Sequence, residues 1–388
     1  MHGALPSGHR RVVKVFVFLG YGFGATRWRM RHARGEIPGL NGPLPYGYHR
    51  AESEEWHIEY SEDAGEGRIG RLCRRGLTRA LGFDVIHAWR HRRQLLAADV
   101  VWTHSERENL AVLALFRVFR PQSPPRVLAQ CIWLFDRWPD LSAPTRVLYR
   151  RLLASADVVT TLSRSNLALA HRLLPTTRCE FLPFGATSPD AIRAPGRSPA
   201  HHPIRLASLG GDMHRDWKTL LSAFAGRSGF ELRIASAKAT IHMDRNFQNV
   251  RIRPARCESD VRALYGWADV VVLSLKENQH ASGITVLLES VASGTPVVTT
   301  DTGGLRDYFS EMEICYVPPE DPAVLRDAVR HLVADRDRMF AMATAAQARL
   351  LADDLTSEGY ALRHRTLSEG LLNQRTALKS LPSATALA

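Results

Sequence analysis

The sequence predicts an α/β protein of two domains, each a parallel sheet covered by helices. Three observations predict it. Short runs rich in valine, threonine and isoleucine recur along the chain, spaced by helix-length segments, the alternation that a parallel sheet with crossover helices requires. The 388 residues exceed one ordinary domain and fit two of about 180 residues each. Gly185 to Pro203, GATSPDAIRAPGRSPAHHP, is rich in proline, serine and glycine without any period, which marks a linker. The expected division is a first domain over 1–190, a linker over 191–203 and a second domain over 204–372. The last helix of that domain is free to return to the first. Residues 373–388 are small, polar and aperiodic and read as a frayed tail.

Taken in order, Val12 to Leu19 reads as the first buried strand, and Gly20-Tyr21-Gly22-Phe23-Gly24 follows at once. Glycines there let the backbone turn sharply and approach a ligand, so Gly22 and Gly24 are candidate ligand contacts, although the spacing is not that of a dinucleotide fingerprint. Arg27 to Gly47 is polar, glycine- and proline-rich and aperiodic, a long loop of the functional kind. Val85 to Trp89, Val100 to His104, Val127 to Leu134, Val158 to Leu162 and Glu180 to Leu182 are further strand candidates. The second domain opens with the strand Ile204 to Leu209 and a Gly210-Gly211 turn. Asp216 to Phe224 carries Trp217, Leu220, Leu221 and Phe224 at helical spacing. Phe230 to Ala235 and Val250 to Ile252 read as strands, and Asp260 to Trp267 as a helix.

Composition narrows the class. Hydrophobic residues make up 45% of the chain and no apolar run reaches the length of a membrane span. The apolar run VFVFL near the start is too short for the core of a secretion signal and reads as a strand. Five cysteines, Cys73, Cys131, Cys179, Cys257 and Cys315, are odd in number and never form CxxC. Reduced thiols in the cytoplasm are expected, without structural zinc. Residues 1–190 hold 27 Lys+Arg and 17 Asp+Glu, so +10 of the net +12 lies in the first half. Such asymmetry suits an anionic partner: a membrane surface, a pyrophosphate-bearing lipid or a nucleic acid. No compact basic motif supports the last, and solvated arginine faces are the plain alternative. Segment 68–83, RIGRLCRRGLTRALGF, sets Ile69, Leu72, Cys73 and Leu77 beside Arg68, Arg71, Arg75 and Arg79. That is the pattern of a basic helix lying on anionic lipid, and equally of a core helix with an arginine face.

The densest information lies between Leu273 and Gly304. A valine-rich strand, Val270 to Leu275, leads to a loop ending at Gly283. The apolar helix Ile284 to Ala292 carries Glu289, and a Gly-Thr-Pro turn precedes the strand Thr295 to Thr300 and a Gly-Gly turn. A helix start behind a glycine suits a phosphate, because free N–H groups and the dipole favour an anion. Ser282, Gly283, Ile284 and Thr285 are therefore candidate phosphate contacts, and Glu289 a candidate acceptor for a ribose diol.

This order of elements resembles the nucleotide-sugar half of retaining glycosyltransferases of the GT-B type, in particular glycosyltransferase family 4. Glu289-Ser290, Ser293-Gly294-Thr295-Pro296-Val297-Val298, Asp301-Thr302-Gly303-Gly304 and Cys315 to Pro322 match in order and spacing. The phrases Ala156 to Ser163 and Phe181 to Gly185 resemble the end of the family's first domain. The resemblance implies two Rossmann-like domains facing each other across a cleft, with a nucleotide-diphosphate sugar on the second and the acceptor on the first. It also implies diphosphate-binding cations after the first strand of the second domain. Here Gly211 and Asp216 stand at those places, and Arg215 and Lys218, beyond Gly210, are the displaced candidates. The family's first glutamate, eight residues before the second, falls on Ala281, or on His280 when counted back from Gly283, so no carboxylate stands there.

Arg215, Glu289 and His280 are thus the catalytic candidates, and Gly22, Gly24, Gly210, Arg215, Lys218, Ser282, Gly283, Ile284, Thr285 and Glu289 the donor-binding ones. His104, Asp136 and Trp138, each at or after a first-domain strand, are the acceptor-binding candidates, with Trp133 as a second ring able to stack on a sugar. No metal and no cofactor are expected beyond the donor, with a UDP-sugar favoured over a GDP-sugar. The expected activity is retaining transfer to a glycan or lipid-linked sugar in bacterial exopolysaccharide or lipopolysaccharide synthesis. The expected place is the cytoplasm, with an anionic membrane surface on the inner face of the plasma membrane as a candidate partner. A non-hydrolysing epimerase-like enzyme and a non-catalytic sugar-nucleotide binder are the alternatives.

Overall fold

Twelve short strands form two six-stranded sheets in the computed structural model, which describes residues 11–196, 201–238 and 247–380. The first sheet holds β1 (Val13–Phe18), β2 (Trp56–Tyr60), β3 (Val100–Thr103), β4 (Arg126–Cys131), β5 (Val158–Thr161) and β6 (Cys179–Phe181), in the order β2-β1-β3-β4-β5-β6. The second holds β7 (Ile204–Leu209), β8 (Phe230–Ala235), β9 (Val250–Arg253), β10 (Val270–Leu273), β11 (Val297–Thr300) and β12 (Cys315–Val317), ordered β12-β11-β10-β7-β8-β9. Every pairing is parallel. Central strands are buried on both faces, which is why they read as continuous apolar runs. This is the α/β, GT-B architecture of two Rossmann-like domains across a cleft.

Three expectations are corrected. Val85 to Trp89 is no strand but part of the helix Val85–Arg90, because the Asp84 carboxylate accepts the His87 N–H at 2.9 Å and caps a helix start. The expected loop from Arg27 begins as a helix, Ala25–Ala33, and ends in a 3-10 turn, Pro45–Ala51. The expected frayed tail is helical as far as Ser380, in the long helix Ser357–Ser380, while 381–388 lie outside the described residues. That helix lies on the first domain: Trp102 donates its indole N–H to Ser368 at 2.8 Å, and the Tyr360 hydroxyl bonds Gln130. One apolar cluster joins the domains beneath the cleft, with Leu40 and Tyr48 of the first, Leu287 and Tyr308 of the second, and Tyr360 and Leu367 of the last helix.

The basic segment forms the helix Arg68–Leu81, closed by Gly82 at φ +84. It is not a core helix. Ile69 is 80% exposed and Leu72 73%. Arg74 instead turns inward, bonding Glu66 and Asp84 at 2.7 Å each, with its guanidinium 3.9 Å over the Tyr21 ring.

Candidate active site

The carboxyl ends of the two sheets face each other across a cavity of about 640 Å³, where open α/β sheets bind ligands. From the second domain come Arg215, His280 and Ser282 to Thr285, and from the first His104, Glu108 and Trp133.

Arg215 is the centre of the second-domain wall. Its backbone pairs with Leu275, and its side chain is 4% exposed. A Cβ at Gly210 would lie 2.4 Å from the guanidinium, and one at Gly283 2.9 Å from it. Both glycines have positive φ, +119° and +84°, so they create the slot that holds the cation. Asp212, 3.5 Å away, is the sole carboxylate paired with it among the described residues, and its Nε and Nη1 have no partner. Burial presses its pKa down, only partly offset by Asp212, yet a guanidinium stays charged at neutral pH. A buried cation with unused donors beside the start of the helix Ile284–Ala292 is a site for an anion.

Lys218 is not part of it. Asp216 caps the helix Trp217–Phe224 through the Thr219 N–H at 3.0 Å, which sends Lys218 into solvent. Lys238, just past β8, lines the cavity instead. Its position beside the end of β7 is set by sheet order, the one signal that could have found it. Gly22 and Gly24 also fall outside the lining. The Gly22 N–H donates to Asp63 at 2.7 Å, and a Cβ at Gly24 would sit 2.5 Å from the Asp63 nitrogen. Gly20 faces the cavity in their place.

Glu289 lies behind the cavity wall rather than in it. The carboxylate is buried and accepts the Leu40 N–H at 2.7 Å and the Tyr265 hydroxyl at 3.0 Å. Burial pushes its pKa up to about 7, against the lowering effect of those two bonds. Both oxygens are engaged, one by the first-domain loop, so a ribose would have to displace Leu40. Gly39, at φ +99, is what lets that loop approach: a Cβ there would be 2.8 Å from Glu289.

His280 stands where a carboxylate was sought and faces the cavity. Its Nδ1 meets the Asp136 carboxylate at 2.7 Å, and its Nε2 is buried without a partner. Asp136 also accepts the Gln279 N–H at 2.8 Å. Burial works against its charge, but these bonds outweigh it and hold its pKa below the usual range. Asp136 is therefore a clamp between domains, not a wall residue for an acceptor. Trp138 is corrected too: it is 7% exposed and packed in the first domain's core. Trp133 lines the cavity instead, its ring 4.4 Å from that of His280.

His104 does line the cavity, stacked on Tyr46 with ring centroids 3.4 Å apart and bonded to the Tyr48 hydroxyl at 3.0 Å. Burial drives its pKa down to about 3, so the ring is neutral. Glu108 was not foreseen. It closes a capping box with Ser105, readable as S-x-x-E in SERE, and burial raises its pKa to about 7. Arg107 and Arg137 line both this cavity and a neighbouring groove of about 500 Å³, where Arg75 and Arg79 join them.

Residues 214–335 match the family described as glycosyl transferases group 1. The D-inositol 3-phosphate glycosyltransferase of Corynebacterium urealyticum is 36% identical over 98 residues, 25% of this chain and 22% of that protein. The solved sucrose-phosphate synthase of Thermosynechococcus elongatus is similar at a TM-score of 0.71 and 15% identity, over 93% of this chain and 100% of that one. Anabaena HepE in complex with UDP-glucose follows at 0.65 and 11%, over 92% and 99%. The second domain thus carries a glycosyl transferase group 1 segment within a GT-B fold.

Proposed function

We propose that the protein is a retaining glycosyltransferase that takes a sugar from a nucleoside-diphosphate sugar. The observation that carries this is Arg215, buried between Gly210 and Gly283 with two unpaired donors at a helix start. The diphosphate lies on Arg215, the helix start and Lys238. The sugar reaches toward His280 Nε2 and Trp133. As the glycosidic bond breaks, charge gathers on the departing phosphate oxygen, and a fixed cation in a dry cleft stabilises it without reorganising. That oxygen takes the acceptor proton on the same face. UDP is the favoured nucleotide, since HepE, of like architecture, holds UDP-glucose.

The acceptor side is the arginine groove. Among the described residues no carboxylate pairs with Arg75, Arg79, Arg107 or Arg137, and exposed Ile69 and Leu72 lie on the helix that carries two of them. A lipid-linked, phosphate-bearing sugar at an anionic membrane fits this surface, as in exopolysaccharide or lipopolysaccharide synthesis at the inner face of the plasma membrane. Among the described residues no helix is long and apolar enough to cross a membrane. Thermal-shift and calorimetric titration with UDP, GDP, ADP and their sugars tests the donor, and the anomeric configuration of the product by NMR tests retention. A second reading, a sugar-nucleotide binder without turnover, is favoured by the engaged Glu289, and binding without turnover across a donor and acceptor panel would establish it.

A further inference from the structure

We propose that Tyr46 and Glu108 form the subsite that recognises the acceptor sugar by one of its non-reacting hydroxyls. That the ligand is the acceptor rests on the proposed function, whereas the subsite itself does not. Both residues line the first-domain side of the cavity, and neither takes part in the donor contacts described above.

Glu108 does more than cap a helix. The capping box uses one carboxylate oxygen: Oε2 accepts the Ser105 N–H at 2.7 Å and also the Ser105 hydroxyl. Among the described residues no other residue donates to Oε1. Oε1 lies against Gly20, where a Cβ would stand 2.9 Å from it, and Gly20 itself lines the cavity. A larger residue there would push the carboxylate aside. Polar groups drawn out of water are nearly always hydrogen-bonded, so an oxygen left open beside a cavity calls for a donor from the ligand.

Tyr46 is held in a costly conformation. Its φ is +58°, in the left-handed region that a bulky side chain rarely adopts, and such strain gathers at ligand sites. Its neighbours impose it. Gly47 follows at φ +73°, and a Cβ there would lie 2.7 Å from that of Ser357, at the start of the last helix. The Tyr48 hydroxyl is tied to His104 Nδ1 at 3.0 Å and to the Tyr360 hydroxyl at 3.2 Å. The Tyr46 ring stacks on His104 and on Phe23. Its hydroxyl makes no hydrogen bond among the described residues; burial raises its pKa, and the nearby Glu108 carboxylate raises it further.

A hydroxyl is the group that matches this pair. An ionised carboxylate only accepts, while a phenol both donates and accepts. A sugar hydroxyl gives its proton to Oε1 and takes that of Tyr46. An ammonium has nothing to accept with, and the carboxylate repels a phosphate. The reacting hydroxyl loses its proton to the departing phosphate oxygen, so the gripped group is a neighbour of it on the same ring. Arg107 and Arg137 line both the cavity and the arginine groove, so a ring seated here keeps its phosphate outside, on the arginines.

The test is binding by saturation-transfer NMR, with and without UDP, at about pH 8, above the Glu108 pKa of about 7. The probes are methyl glycosides of glucose, mannose, galactose and N-acetylglucosamine, the matching hexose phosphates, and the monodeoxy series of whichever binds best. One deoxy analogue should bind the wild type about tenfold or more weakly, as when a hydrogen bond to a charged group is lost. Glu108→Gln should weaken the parent sugar by a similar factor and that analogue no further, since losses at two ends of one contact do not add. Glutamine keeps the capping box: its carbonyl must take the Ser105 N–H, which turns its NH₂ to the cavity and replaces an acceptor by a donor. Tyr46→Phe should cost about three- to fivefold on the same analogue pattern. No binding of any probe to the wild type, or the same deoxy ratios in wild type and Glu108→Gln, would overturn the subsite. Calorimetric titration of the wild type with UDP reports on the donor reading separately, so either can fail while the other stands.

Discussion

The two domains share one plan, six parallel strands with helices, but they treat charge in opposite ways. The second domain places a single guanidinium, Arg215, in a slot made by two glycines, 5% exposed. The first domain spreads Arg75, Arg79, Arg107 and Arg137 along an open groove beside exposed Ile69 and Leu72. A buried cation acts strongly on one small anion, since the low local dielectric magnifies it. Exposed cations act weakly and additively, are screened by salt, and tolerate ligands of many shapes. The difference teaches where chemistry and where docking would reside.

Arg215→Ala is the sharpest way to break that comparison. Loss of a preorganised group at the departing diphosphate should cut turnover by about 100-fold or more. The donor Michaelis constant should rise less, as when a transition-state contact is lost. Steady-state kinetics with a UDP-sugar reads both. Gly210→Ala should copy the effect, because a Cβ there collides with the guanidinium. An equal loss from Arg107→Ala would erase the distinction between the domains.

Glu289 tests whether the domains are held together by a neutral carboxyl. Its pKa is raised from 4.5 to about 7 by burial, so the folded protein prefers the protonated form. That share of stability is full below about pH 4.5 and is lost as pH rises through about 7, about 3 kcal/mol in all. Glu289→Gln cannot lose it. Urea unfolding should show the variant gaining on the wild type by up to this amount across that window. Parallel curves would mean the carboxylate is ionised throughout.

The membrane half of the comparison is smaller in effect. Arg75→Glu with Arg79→Glu should release the protein from anionic vesicles at low salt, each arginine being worth about 1 kcal/mol near the surface. Arg74 must be left alone, since it is an inward ion pair with Glu66 and Asp84. Equal partitioning of the wild type onto neutral vesicles would turn the groove into a solvated face and favour a soluble acceptor.

Much of the second domain was legible. The helix Ile284–Ala292 was read to the residue because it is buried almost throughout and apolar nearly throughout; β7 and β8 were read likewise, β8 from the apolar residues at alternate positions of FELRIA, which are its buried ones. The first domain was harder. β2, WHIEY, alternates buried and exposed at a sheet edge and offers only three apolar residues to notice. Val85–Arg90 is equally apolar as helix or strand, and the Asp84 cap decides. Of the residues that line the cavity, Arg215, His280 and the segment Ser282 to Thr285 are ones that motif spacing names. The Asp136–His280 contact spans 144 positions, and no local pattern announces it. Trp133 lies between Ile132 and Leu134 and Trp138 between Arg137 and Pro139, so the apolar neighbours point to the wrong ring as core, and the turn after β4 decides instead.

The last and smallest effect concerns the two lysines of the second domain. Lys238 is a cavity-lining cation on an exposed stretch past β8, and Lys218 is a solvated residue of a capped helix. Lys238→Ala should therefore raise the dissociation constant for UDP a few-fold, about 0.5–1 kcal/mol, as an exposed charge pair does, and the effect should shrink as salt rises. Lys218→Ala should leave it unchanged. Calorimetric titration at two ionic strengths separates the outcomes. A salt-insensitive loss at Lys238 would mean that nucleotide binding dries the lysine, which would move it to the buried side of the comparison with Arg215. A loss at Lys218 alone would mean that the diphosphate lies over the start of the helix Trp217–Phe224 rather than over that of Ile284–Ala292.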